Sequence, residues 1–132
     1  MENPEIKNLF KLFVDEEGIL NLVFLPEPGT LQFKEDERAQ LVMEAAEEIF
    51  RRNPERHYAV LVDNTLLKKF SFPAAARKTY ARLSANPQIK KAAVLYGNQF
   101  YRVAVGLVLR AAGQNFRAFD DKNEALEWLK GD

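Results

Sequence analysis

The run YAVLVD, Tyr58 to Asp63, decides the fold. Apolar in all but its last residue and rich in β-formers, it shows no polar alternation and suits a central strand covered on both faces. Such a strand calls for helices on either side of a sheet, and the flanking sequence supplies them. Upstream, Leu41, Val42, Ala45, Ala46, Ile49 and Phe50 recur at helical spacing, with Glu44, Glu47, Glu48 and Arg51 between them. Glu35, Asp36 and Glu37 load the first turn with negative charge and Arg51 and Arg52 the last with positive, so both ends complement the helix dipole. Asn53-Pro54 stops this helix. Further upstream, NLFKLFV and ILNLVFL flank the acidic turn DEEG, Asp15 to Gly18, and predict a β-hairpin. PEPGT, Pro26 to Thr30, reads as a loop and residues 1–7 as a frayed tail, which leaves one domain over 8–132.

Downstream of YAVLVD the alternation continues. A second helix opens at Ser71, whose hydroxyl suits the cap, with Pro73 in the first turn. Phe72, Ala76, Tyr80 and Leu83 share one side of it, and Asn86-Pro87 ends it. AAVLYG, Ala92 to Gly97, is another buried-type strand. FYRVAVGLVLRAAG, Phe100 to Gly113, reads as a third helix with Gly113 as its stop. NFRAF, Asn115 to Phe119, alternates as a strand. The closing DKNEALEWLKGD opens on Asp121 and Glu124 in capping-box spacing, with Ala125, Trp128 and Leu129 facing inward. The order is β-β-α-β-α-β-α-β-α. It predicts a single α/β domain with a mostly parallel sheet, an N-terminal hairpin, right-handed crossovers and helices on both faces.

Composition narrows the function. The 132 residues carry 19 basic and 19 acidic side chains and no cysteine. A balanced charge without a basic run argues against nucleic acid, and the lack of cysteine excludes disulfides and thiolate chemistry. MENPEIKN lacks the features of a secretory signal, and no apolar run approaches the length of a membrane span. The expected location is the cytoplasm. With neither a Walker pattern nor GxGxxG, no nucleotide or other cofactor is expected. A lone histidine, His57, makes no zinc cluster and reads as a surface residue. The acidic groups Asp15-Glu16-Glu17 and Glu44-Glu47-Glu48 read as a turn and a solvated helix face, and the pairs Lys68-Lys69 and Lys90-Lys91 as solvated.

Three stretches carry a family resemblance: LVDNTLLKKFSFPAAARKTYARL (61–83), KKAAVLYGNQFYRVAVGLVLRAAG (90–113) and NFRAFDDKNEALEWL (115–129). Their strand-aspartate-loop-helix, strand-glycine-apolar-helix and closing strand-helix patterns resemble the SpoIIAA-like branch of the STAS superfamily, with a weaker similarity to CRAL-TRIO lipid-transfer domains. The resemblance implies a STAS-like fold and a regulatory role through protein contacts. In the family's anti-sigma-factor antagonists, a serine at the start of the helix after the third strand is phosphorylated. The matching segment here, FSFPAAA, has proline or phenylalanine at that place. Ser71 is the only hydroxyl nearby and reads as a helix cap, so the phosphoserine switch is expected to be absent.

Asp63, Asn64 and Thr65 end a parallel strand, where open α/β sheets bind ligands, and the topology brings Tyr96, Gly97 and Asn98 close by. With Ser71 they form the candidate ligand or partner site, although side-chain-to-backbone turn hydrogen bonds are the favoured reading of Asp63 and Asn64. The second candidate is the helix at Phe100 to Gly113. Phe100, Val103, Ala104, Leu107, Val108 and Ala111 form one stripe, which packs on the sheet. Tyr101, Val105, Leu109 and Ala112, with Arg102, form a second. That stripe is covered by a neighbouring helix, by a second copy of the chain, or by an apolar, lipid-like ligand. The sequence thus predicts a non-catalytic interaction domain, homodimeric through this helix. A carrier or sensor of a small apolar ligand is the alternative, and an enzyme using Asp63 as base ranks third.

Overall fold

The structure, a computed structural model, describes residues 9–26, 35–67, 74–96 and 115–131. Strands β1 (Phe10–Val14) and β2 (Leu20–Phe24) form the expected hairpin, with Phe10 opposite Phe24 and Val14 opposite Leu20. Its turn is organised by Asp15, whose carboxylate accepts from the amides of Glu17 at 2.9 Å and Ile19 at 3.0 Å and from the Asn21 amide at 2.9 Å. Gly18 closes the turn at φ +82, a conformation that side chains rarely adopt.

Helix α1 (Glu35–Arg52) follows, then β3 (Tyr58–Asp63), α2 (Ala74–Ser84), β4 (Ile89–Leu95), β5 (Phe116–Phe119) and α3 (Lys122–Lys130). The strands lie in the order β1-β2-β3-β4-β5, antiparallel at the first pair and parallel at the rest. YAVLVD is the middle strand, as its composition requires. The crossovers through α1 and α2 step the same way across the sheet, so two connections of one hand deliver both helices to one face. There Val42, Ala46 and Phe50, four residues apart on α1, meet Leu20, Leu22 and Val60. On the opposite face Ala125 and Leu129 of α3 pack against Leu61, Ala93, Leu95 and Phe119. Asp121 caps α3 by accepting from the Asn123 amide at 2.8 Å.

Several expectations need correcting. The buried face of α1 is Arg38, Ala39, Val42, Met43, Ala46 and Phe50, while Leu41, Ala45 and Ile49 are only half-buried. The helix is rotated slightly from its apparent stripe. Trp128 of the closing helix is likewise half-buried. Strand β4 starts at Ile89, ahead of the expected Ala92, and Lys91 is not solvated but 8% exposed. The cause is a bulge: Tyr58 pairs with Ile89 but Ala59 with Lys91, which leaves Lys90 as the extra residue. That residue breaks the two-fold alternation, so Ile89 faces α1 and α2 while Lys91 turns under α3. There its ammonium donates to the Trp128 carbonyl at 2.5 Å and the Gly131 carbonyl at 2.6 Å and lies 4.9 Å from the Trp128 ring centroid. A cation on the last carbonyls of a helix is favoured by the dipole. Ser71, Phe72 and the whole helix expected at Phe100 to Gly113 lie outside the described residues.

Candidate functional site

The β3 strand alternates, so Val60, Val62 and Asn64 point to the face of α1 and α2, while Leu61 and Asp63 point away. Between the sheet and those helices lies a partly open pocket of about 110 Å³. Leu20, Leu22 and Phe24 of β2 wall it on one side and Ala92 and Val94 of β4 on the other, with Phe116 of β5 beyond. Val42, Ala46 and Phe50 of α1 and Tyr80, Leu83 and Ser84 of α2 form its roof. The described lining contains no charged side chain. Among its few polar groups, the Ser84 hydroxyl is committed to the Tyr80 carbonyl at 2.7 Å.

Asn64 stands at the cavity's end, just past the carboxyl end of β3, and is 6% exposed. Its backbone is fully engaged, the amide donating to Leu95 at 3.1 Å and the carbonyl accepting from Leu67 at 3.2 Å. Its side-chain oxygen is buried and has no hydrogen-bond partner among the described residues. A buried amide oxygen that has given up water without gaining a donor is an unfavourable group.

The neighbouring residues behave differently. The Asp63 carboxylate accepts from the Thr65 amide at 2.8 Å and the Thr65 hydroxyl at 2.6 Å, closing a local turn on the far side of the strand from the cavity. Register pairs Asp63 with Leu95, which sets Asn64 beside Tyr96. Tyr96 packs against the cluster of Leu22, Phe24, Val42 and Leu67, and its amide donates to Phe119 at 3.0 Å. The structure thus brings Asn64 and Tyr96 together and turns Asp63 and Thr65 away; Ser71, Gly97, Asn98, Tyr101, Arg102, Val105, Leu109 and Ala112 lie outside the described residues.

One polar residue escaped the sequence reading. Arg38 of α1, 2% exposed, grips Glu35 through two hydrogen bonds of 2.6 and 2.9 Å and lies 5.3 Å from the centroid of Phe24. Phe24 in turn meets Tyr80 edge-on, with centroids 5.9 Å apart. Burial pushes the Tyr80 hydroxyl above its ordinary ionisation range, with nearby Arg38 acting in the opposite direction. The Glu35-Arg38 spacing was visible as an i,i+3 pair, but nothing local marked it as buried.

The SpoIIAA-like family matches over residues 30–130. The chain belongs to the SpoIIAA-like family. Its match runs from ahead of α1 to the end of α3 and includes both Asp63 and Asn64. The fold is similar to that of an uncharacterized protein of the DUF3478 family from Shewanella loihica PV-4, itself described as having a SpoIIAA-like fold. The TM-score is 0.61 at 18% identity, covering 91% of each chain. No curated protein matches the chain. Among the described residues, no helix of this SpoIIAA-like domain is long and apolar enough to cross a membrane.

Proposed function

We propose that this SpoIIAA-like domain acts without catalysis, by holding a small apolar ligand between the sheet and helices α1 and α2. The observation that carries this reading is the pocket of about 110 Å³, whose described lining carries no charged side chain. An apolar void of roughly 150 Å³ in another protein stays dry and takes benzene, so the space here suits one small ring or a short branched chain. The Asp63 carboxylate, the one base the sequence offered, is occupied by Thr65 and faces away from that space, which supports binding over turnover. A saturable titration with toluene, followed by amide and methyl chemical shifts, tests the reading. Saturation with shifts at Val42, Val60 and Val94 supports it, and the absence of binding overturns it.

Self-association is the second reading, favoured by the two apolar stripes of Phe100 to Gly113. On this reading Tyr101, Arg102, Val105, Leu109 and Ala112 meet a second copy or another protein, since two-fold contacts are the commonest oligomer interface. Light scattering on a dilution series then gives a persistent dimer that Leu109→Glu converts to monomer. A monomer at every wild-type concentration contradicts it.

A further inference from the structure

We infer that the ligand of this cavity is uncharged and presents one hydrogen-bond donor, a hydroxyl or N–H, to Asn64 Oδ1. The inference rests on the apolar-ligand reading above and deepens it. Three observations converge. Strand alternation aims Asn64 into the cavity with Val60 and Val62, where it is 6% exposed. Its oxygen is buried without a partner among the described residues. Its backbone groups already have theirs. The side chain is therefore an acceptor held ready in an apolar space.

Water is a poor occupant. A buried water needs two to four polar partners, and besides Asn64 the described lining offers only the Tyr80 and Ser84 hydroxyls, the Ser84 proton being already given to the Tyr80 carbonyl. The described lining, which carries no charged side chain, also selects against carboxylates, phosphates and ammonium groups, which would lose their hydration without a counter-charge. What remains is a small apolar body with a single polar hydrogen, such as a phenol or a short branched alcohol. Asn64 would set its orientation, the polar end lying at the carboxyl ends of β3 and β4.

The test uses three probes of similar size on the full chain: phenol, which donates; anisole, which only accepts; and toluene, which does neither. Dissociation constants are measured for the wild type and for Asn64→Leu. The preference for phenol over toluene should fall about five- to tenfold in the variant, the worth of one hydrogen bond, while toluene binds at least as well as before. Anisole should follow toluene. Because the Asn64 side-chain oxygen has no hydrogen-bond partner among the described residues, the variant should fold, and Asn64→Ala provides the same comparison if it does not. An unchanged phenol preference sinks the role of Asn64 and leaves the apolar-ligand reading standing. A loss confined to anisole shows the amide presenting its N–H instead and overturns the donor claim. If no probe binds the wild type, the apolar-ligand reading itself fails.

Discussion

Replacing Ala46 by leucine probes the cavity directly. Ala46 lies on the buried face of α1 and lines the void, and alanine and leucine are both strong helix formers, so helix propensity contributes little. Leucine adds three methyl or methylene groups, worth about 2.4 kcal/mol if all are buried at about 0.8 kcal/mol each. Cavity volume gives a similar figure: about 24 cal/mol per Å³ over 110 Å³ is about 2.6 kcal/mol. Side-chain ordering and imperfect fit offset part of either, at about 0.5–1.5 kcal/mol. The expected outcome is a net gain of about 1–2 kcal/mol. It is read from equilibrium urea denaturation as a raised midpoint at constant slope. In a filled core the same substitution would overpack and cost about 1–3 kcal/mol. A loss of that size would refute the cavity and everything built on it.

Other consequences follow from the same geometry. Lys91→Met keeps the apolar stem but leaves the Trp128 and Gly131 carbonyls without their donor, which should cost about 1.5–3 kcal/mol; hydrogen exchange should show α3 opening first. A cost near zero would mean that Lys91 contributes nothing to holding α3. Gly18→Ala should lose about 1 kcal/mol by denaturation, because its φ of +82 is strained for any side chain and the new Cβ meets Arg56 at 3.1 Å. Asp15 titrates below its ordinary value of 3.8: burial opposes the charge, but hydrogen bonds from Asn21, Ile19 and Glu17 outweigh it. Its folded-state pKa is depressed, so its contribution is present above 3.8 and lost as pH falls through the lower folded value. Asp15→Asn should therefore reduce the fall in stability at the acid end, and an unchanged acid limb would contradict this role for Asp15.

The elements that the sequence disclosed are those whose signals are local. The charged ends of α1, the DEEG turn and the Asp121 cap are each written within a few residues, and the continuous apolar run at Tyr58 to Asp63 announced a strand buried on both sides. What stayed hidden depends on distant partners. The burial of Lys91 needs both the bulge at Lys90 and the arrival of the end of α3, neither visible in KKAAVLYG. The burial of Arg38 needs Phe24 and Tyr80 around it. Asp63 and Asn64 read alike as turn residues, yet alternation sends one to the turn and the other into the cavity. Because β3 is apolar on both faces, no hydropathy contrast indicated which face held the void.

Binding of toluene to the wild type and to Ala46→Leu is the measurement that bears most directly on the proposed role. Saturable binding to the wild type, with methyl shifts confined to the cavity wall and affinity lost in the filled variant, is the result this account predicts. Absence of saturable binding to the wild type, or equal affinity for both proteins, would contradict it.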